Sequence, residues 1–274
     1  MEQLSLTISI VLYQNDIIEI ENLMRCINKI KISYRLFLID NSPSDKLRIF
    51  SKEKNTAYHF NNRNLGFGPA QNLGINEAIH NSKYHLILNP DIIFEPGTIE
   101  NIYEFMENNS DIGQLMPKIF YPDGKIQKLC KLLPHPVDLI GRRFLGTLKF
   151  SQKRNDAYEL SSFSYDKLLD IPNLSGCFMF IRTSILEIVG GFDTRFFMYL
   201  EDADLTRRIN KISRTVFYPE VGITHAYHRG SYSSSRLLRY HTISAVKYFN
   251  KWGWFFDKER DDLNQKVMLQ MENK

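Results

Sequence analysis

Cysteine is scarce in this chain, and what there is does not pair. Cys26, Cys130 and Cys177 are odd in number and far apart. A zinc-type pair spacing is therefore excluded, and a reducing compartment is the simplest expectation. Long apolar runs are missing as well: no stretch reaches about 18 residues, so no segment is expected to span a membrane. The opening "MEQLSLTISIVLYQ" carries an acid at Glu2 and no basic leader, and it reads as a first strand rather than a signal peptide. A cytoplasmic location is the resulting expectation. Charge of one sign is also missing. Lys and Arg number 35 against 31 Asp and Glu, a formal net charge of +4, too mild to point to a nucleic-acid partner. There is no Walker loop, no G-x-G-x-x-G after the first strand, no internal repeat and no low-complexity tract.

What is present is an ordinary globular composition: 274 residues, 43% hydrophobic and 24% charged, enough to bury a large core as one domain or two small ones. The first hundred residues alternate strand and helix. "LTISIVLY" (6–13) reads as a strand, followed by a helix with Ile20, Leu23, Met24, Ile27 and Ile30 on its apolar face. "YRLFLID" (34–40) is a second strand ended by the turn-rich "NSPSD", and "AYHF" a short third. The glycine-punctuated "NNRNLGFGPAQNLGINEAI" turns helical, "YHLILNPD" (84–91) is a fourth strand, and Thr98 opens a helix with Ile99, Ile102, Phe105 and Met106 inward. Such alternation predicts an α/β fold with a mostly parallel central sheet flanked by helices.

The middle, 134–172, is less regular. With "GRRFLG", the basic "KFSQKR" and the polar "SSFSYD", it reads as a long excursion or lid. Beyond it, "NLSGCFMFIRTSILEIVGGFD" is a turn, a buried strand and a short helix, with Ser184 and Glu187 fitting a capping box and Gly190-Gly191 a helix stop. The acidic "LEDAD" follows, on a helix whose apolar face is Leu205, Ile209 and Ile212.

Open α/β sheets bind ligands beyond the carboxyl ends of their strands. There the sequence places Tyr13-Gln14-Asn15-Asp16, Asp40-Asn41 and Asn89-Pro90-Asp91. Any one of these is most simply a turn; three together on one rim suggest a site. Asp91, its neighbour Asn89 and a downstream histidine, His225 or with less support His228, can hold a hard divalent cation. Asp40 can accept hydrogen bonds from a base or ribose, and the Gly66/Gly68 turn lets backbone approach a ligand closely. Were a metal-bound diphosphate the leaving group, a carboxylate from Glu201, Asp202 or Asp204 would supply the base that deprotonates an attacking hydroxyl. The alternative for all three acids is plain helix-dipole capping.

The segments "VLYQND…LIDNSPSD", "NNRNLGFGPAQNLGI", "LILNPDIIFEPGTI", "GCFMFIRTSILEIVGGFDTRFFMYLEDADLTRRI" and "VGITHAYHRGS" follow one another over about residues 8 to 231. In this order they resemble a family 2 inverting glycosyltransferase of the GT-A (Rossmann-like) fold, rhamnosyltransferase-like branch, which builds cell-surface polysaccharide on lipid carriers. The resemblance implies a catalytic domain over 1–231 and a helical tail over 232–274. It implies Asp202 as general base and Glu201 as a residue that positions the acceptor. Asp40 and Asn41 would lie at the nucleotide, with Asn64, Gly66 and Asn72 shaping the nucleotide-binding loop and Tyr13 and Asn89 completing the set. Asp91 would be the metal-binding carboxylate, with His225 beside it, holding Mg2+ or Mn2+. The implied partners are a dTDP- or UDP-linked sugar donor and a glycan or lipid-linked acceptor. One departure stands out: Asn89 occupies the first position of the acidic D-x-D motif.

Asp204 is expected to pair with Arg207 or Arg208. The tail "RLLRYHTISAVKYFNKWGWFFDKER" mixes bases with aromatics, which suits either packing on the catalytic domain or lying on a membrane surface. Two alternatives stay open. One is a nucleotidyltransferase, although "YQND" stands where such enzymes place a basic glycine-rich loop. The other is a non-catalytic sugar-nucleotide-binding protein on a degenerate GT-A fold.

Overall fold

The computed structural model describes residues 3–139, 149–226 and 235–272. "GRRFLG", His228 and the end of the "VGITHAYHRGS" segment lie outside them. The sheet runs in the order β3-β2-β1-β4-β8-β6-β9-β5, with β7 pairing β9. Its strands are β1 (Leu4–Leu12), β2 (Tyr34–Asp40), β3 (Thr56–Phe60), β4 (Ser82–Leu88), β5 (Ile92–Phe94), β6 (Ile112–Phe120), β7 (Leu169–Asp170), β8 (Phe178–Arg182) and β9 (Arg214–His225). From β3 through β4 every pairing is parallel. β8 then enters antiparallel between β4 and β6, and β9 returns parallel to β6. The helices are α1 (Ile17–Ile27), α2 (Phe67–Asn81), α3 (Thr98–Asn108), α4 (Lys149–Tyr158), α5 (Thr183–Val189), α6 (Glu201–Asn210), α7 (Ser235–Trp252) and α8 (Lys258–Glu272).

Period-two alternation explains how β1 serves two layers. Leu6, Ile8, Ile10 and Leu12 face one way, into a core shared with Ile20, Leu23, Met24 and Ile27 of α1. Thr7 and Ser9 face the other way and are fully buried. They meet His85 of β4: Thr7 Oγ1 lies 2.8 Å from Nδ1, and Ser9 Oγ 2.8 Å from Nε2. Burial pushes this imidazole down to about 3, so it packs as a neutral ring. Gly74 of α2 is what lets the helix close on this stripe, because a Cβ there would sit 2.5 Å from Ser9 Cβ.

Two local expectations change, and the tail takes the first of its two readings. The capping box at Ser184 and Glu187 does not form: the N-cap is Arg182, two residues earlier, and α5 begins at Thr183 with no side-chain cap. Thr183 Oγ1 instead bonds the carbonyls of Ser82 and Lys83 at 2.6 and 2.9 Å, so docking on β4 fixes the helix start. The end of the predicted excursion belongs to the core, where Leu160, Phe163, Tyr165 and Ile171 are buried and Phe163 and Tyr165 pack edge-on against Phe217. The tail folds back onto the domain. Tyr248 and Phe249 of α7 pack with Phe196, Leu200 and Ala203 around the start of α6. No helix among the described residues is long and apolar enough to cross a membrane.

Candidate active site

The carboxyl ends of β1, β2 and β4 form the rim, and its polar residues are held before any ligand arrives. At the end of β1, Tyr13 is exposed and Asp16 is taken up as the N-cap of α1, accepting from Ile18 N at 2.9 Å. At the end of β2, Asp40 is buried, accepting from Ser42 N at 2.8 Å and from the Tyr58 hydroxyl at 2.5 Å. Burial first, and this bond second, raise the Tyr58 phenol above its ordinary value. Asn41 ties the next loop in: its Nδ2 donates to Gly66 O at 3.1 Å, and its Oδ1 accepts from Asn61 at 2.8 Å. Asn64 Oδ1 accepts from Gly66 N at 2.9 Å.

Gly66 has φ +89°, and a Cβ on it would fall 2.3 Å from the carbonyl oxygen of Phe197. That carbonyl accepts from Phe67 N at 2.9 Å, so the glycine turn is docked directly on the segment leading into α6. Asn72 works from one turn further along α2. Its amide bonds both the N–H and the carbonyl of Phe192, at 2.7 and 2.8 Å, and so is committed to backbone.

The acids of the "LEDAD" stretch take three different roles. Tyr199 and Leu200 sit in the left-handed region, φ +73° and +64°, immediately before α6. Two such non-glycine residues in a row store strain of order 1–3 kcal/mol each, which the packing of Leu200 and Phe196 against α7 must hold. The bend turns Asp202 back to the strand ends. Its Oδ2 accepts from Gly176 N at 2.9 Å and its Oδ1 from Ala203 N at 2.8 Å. Glu201 is only 6% exposed, and its Oε2 has no hydrogen-bond partner among the described residues. Burial, then the charge of Asp202, raise its carboxyl well above the ordinary carboxylate range. Asp204 is buried and paired with Arg208 at 2.9 Å, as expected, and also with Lys251 at 2.6 Å and Trp252 Nε1 at 2.8 Å from α7. Arg207 turns away to Asp257 and Glu259.

Asp91 and His225 meet at the other end of the rim. Ile92 of β5 pairs with His225 of β9, and Ala226 N donates to Asp91 O at 3.1 Å. His225 Nε2 consequently lies 3.3 Å from Asp91 Oδ1. Asn89 joins through backbone, its N–H donating to Cys177 O at 2.9 Å. Cys177 is the bridge between the two ends. Burial pushes its thiol up to about 12, with the charges of Asp91 and Asp202 adding to the rise. Its carbonyl takes the Asn89 N–H, and the N–H of its neighbour Gly176 holds Asp202. Among the described residues no group of three or more His, Cys, Asp or Glu gathers to hold a metal. One carboxylate oxygen beside one imidazole nitrogen fits a divalent cation that takes its remaining ligands from diphosphate and water.

Sequence reasoning missed Gly176, whose N–H holds Asp202, Cys177, whose carbonyl takes the Asn89 N–H, and Gln127, whose side chain bonds both the ring and the backbone of His225. Nothing local marks these residues; they are brought in by strand pairing. A surface hollow lined by Asn28, Lys31, Tyr34 and Glu53 lies at the opposite, amino end of β2, where such sheets do not bind ligands.

The family model of glycosyl transferase family 2 matches residues 8–189. The chain belongs to that family. Among family 2 relatives, the N-acetylglucosaminyl-diphospho-decaprenol L-rhamnosyltransferase of Mycobacterium tuberculosis is 28% identical over 205 residues, 70% of this chain and 66% of the relative. Rhamnosyltransferase WbbL of Escherichia coli is 25% identical over 240 residues, 84% of this chain and 87% of that protein. The chain thus spans just under two thirds of the mycobacterial relative. Its fold is GT-A. A Pyrobaculum calidifontis mannosyltransferase solved with GDP-Man and Mn2+ superposes with a TM-score of 0.57 at 16% identity, over 90% of this chain and 65% of its own. GalNAc-T7, solved with UDP, GalNAc and Mn2+, gives 0.63 at 16% identity over 98% of this chain and 57% of its own.

Proposed function

We propose that this family 2 member is an inverting glycosyltransferase that moves a sugar, rhamnose in the reading its relatives favour, from a dTDP- or UDP-linked donor to a hydroxyl of a glycan or lipid-linked acceptor. The observation that carries the reading is that Asp202, held by Gly176 N, and the Asn89–Asp91 strand end, held by Cys177 O and faced by His225, meet at the one Gly176–Cys177 turn, one acid to take a proton and one to anchor the leaving diphosphate.

Asp202 is fixed by two backbone N–H groups, which leaves a lone pair on each oxygen for the proton of an incoming hydroxyl. As that proton passes to Asp202, the acceptor oxygen forms a bond to the anomeric carbon from the face opposite the phosphate. The carbon–oxygen bond to the diphosphate breaks with its electron pair, and the configuration inverts. Glu201 Oε2, buried and without a hydrogen-bond partner among the described residues, is the position that takes the acceptor hydroxyl beside Asp202 once the site admits it. Asp40 and Asn41, with Tyr13 at the mouth, receive the nucleoside, and the Asn64–Gly66 turn and Asn89 close around it. Mg2+ or Mn2+ held by Asp91 and His225 would supply positive charge beside the diphosphate. Replacing Asp202 by Asn keeps the shape and removes the base. Transfer from the accepted donor then falls by about 10²–10⁴, while a wild-type rate removes the assignment.

A lipid-linked acceptor would bring the protein to a membrane surface, as a peripheral enzyme of cell-surface polysaccharide synthesis. The turn between α7 and α8 supports this. Phe255 and Phe256 are 61% and 98% exposed there, while Arg260 holds the turn by bonding Trp254 O and Phe255 O.

A further inference from the structure

Gln127 fixes the chemistry of His225 from behind. It follows an antiparallel bridge between Phe120 and Ile126, its N–H donates to Ile119 O at 2.7 Å, and it is buried. Its side-chain nitrogen faces two carbonyls, His225 O at 2.6 Å and Phe120 O at 3.3 Å. Carbonyls only accept, so the NH2 end of the amide must point there. The amide oxygen is thereby turned to His225 Nδ1, at 3.1 Å. An amide oxygen also only accepts, so Nδ1 must be the ring nitrogen that carries hydrogen. In the neutral imidazole the lone pair then sits on Nε2, which faces Asp91 Oδ1 at 3.3 Å. Two acceptors directed at each other repel, and either a proton on Nε2 or a metal cation shared between them removes the conflict.

We propose that Gln127 is a positioning residue that locks His225 in its Nδ1–H tautomer, so that Nε2 and the Asp91 carboxylate converge on one divalent cation. The inference rests on reading Asp91 and His225 as metal ligands, and it assigns to Gln127 the outer hydrogen bond that sets a ligand's tautomer and ring orientation. Gln127 touches neither donor nor acceptor in this account; it acts only through the ring.

The first test needs no variant. In the metal-free wild-type protein labelled with 15N-histidine, long-range 1H–15N spectra at pH 8 should show His225 Nδ1 protonated and Nε2 bare. An Nε2–H tautomer, a fast mixture, or protons on both nitrogens would overturn the role given to Gln127. The second test reads Mn2+ affinity by electron paramagnetic resonance in the presence of nucleoside diphosphate. Gln127→Met, which removes the acceptor for Nδ1–H, should weaken Mn2+ by about 10–100-fold. Gln127→Glu, which keeps that acceptor but loses the N–H bonds to the His225 and Phe120 carbonyls, should lose less Mn2+ affinity than Gln127→Met. Equal losses in the two variants would make Gln127 a packing residue and refute the proposal. Failure of wild type to bind Mn2+ at all would instead overturn the metal reading, and with it the purpose assigned to Gln127; the nitrogen spectrum separates the two failures.

Discussion

Removing Asp257 should loosen the tail from the catalytic helix, and the structure sets the size of the effect. Arg207 of α6 is almost completely buried and gives four hydrogen bonds to two carboxylates. Two of them reach Asp257, both at 2.7 Å, and Asp257 is itself buried at the head of α8. The other two reach Glu259, whose side chain is 36% exposed. Breaking a buried pair by deleting one partner costs about 3–5 kcal/mol, because the remaining charge is stranded. A partly exposed partner is worth about 0–1 kcal/mol. Asp257→Ala should therefore lower the melting temperature by roughly 6–20 °C, taking about 2–4 °C per kcal/mol for a chain of this class. Glu259→Ala should lower it by no more than about 4 °C on the same scale. Because the damage is a buried guanidinium left with the partly exposed Glu259 as its carboxylate partner, Arg207→Met combined with Asp257→Leu should recover part of what Asp257→Ala loses. Thermal unfolding followed by circular dichroism decides it. Equal shifts from the Asp257 and Glu259 variants, or a double variant worse than either single one, would mean that the buried Arg207–Asp257 pair does not hold the tail. The sign with pH also follows. Burial works to raise the Asp257 carboxyl, but the hydrogen bonds from Arg207 and from Arg260 N, together with the charges of both arginines, hold it below its ordinary value. Its stabilisation is present above the unfolded aspartate value and is lost as pH falls through the folded one, so wild type and Asp257→Ala should converge in acid.

Glu201 gives the opposite sign. Its folded value is raised above the ordinary 4.5, so the stability it contributes is present in acid and is lost as pH rises through the folded value. Glu201→Gln should gain on wild type in melting temperature from pH 5 to pH 9, and parallel curves would show that the carboxyl is not held neutral. Gly66→Ala forces a φ of +89° and a 2.3 Å approach on the Phe197 carbonyl. It should destabilise by about 2–4 kcal/mol and weaken donor binding, read as a higher KM; an unchanged KM and melting temperature would mean that the turn yields freely. Phe255→Ser with Phe256→Ser should abolish binding to anionic vesicles without moving the melting temperature, since both rings are exposed; undiminished vesicle binding would remove the membrane contact from this turn.

Much of the site was legible because it is written locally. Asp40, Asn41, Asn89 and Asp91 stand at strand ends that a run of apolar residues announces, and Glu201 and Asp202 open a helix whose apolar period is plain. The pairing of Asp204 with Arg208 is a matter of one helical turn. What could not be read is what depends on distant partners. Asp204 also takes Lys251 and Trp252, more than forty residues away, and Arg207 is claimed by the tail rather than by its own helix. The Ser-rich "SSFSYD" reads as polar loop, yet Phe163 and Tyr165 reach the core from it because Phe217 waits on β9. Thr183 shows the same lesson in small: a local cap motif lost to a pair of carbonyls on a neighbouring strand. Gln127 carries no signal of its own, because its meaning lies in the ring that the β9 pairing sets beside it.

The most direct test is calorimetric titration of dTDP, UDP and GDP, each with and without Mn2+, into wild type and Asp91→Ala. One nucleotide should bind, Mn2+ should strengthen it, and Asp91→Ala should abolish the strengthening. Binding of none of the three by a folded wild type, or a metal effect that survives Asp91→Ala, would contradict the proposed donor site.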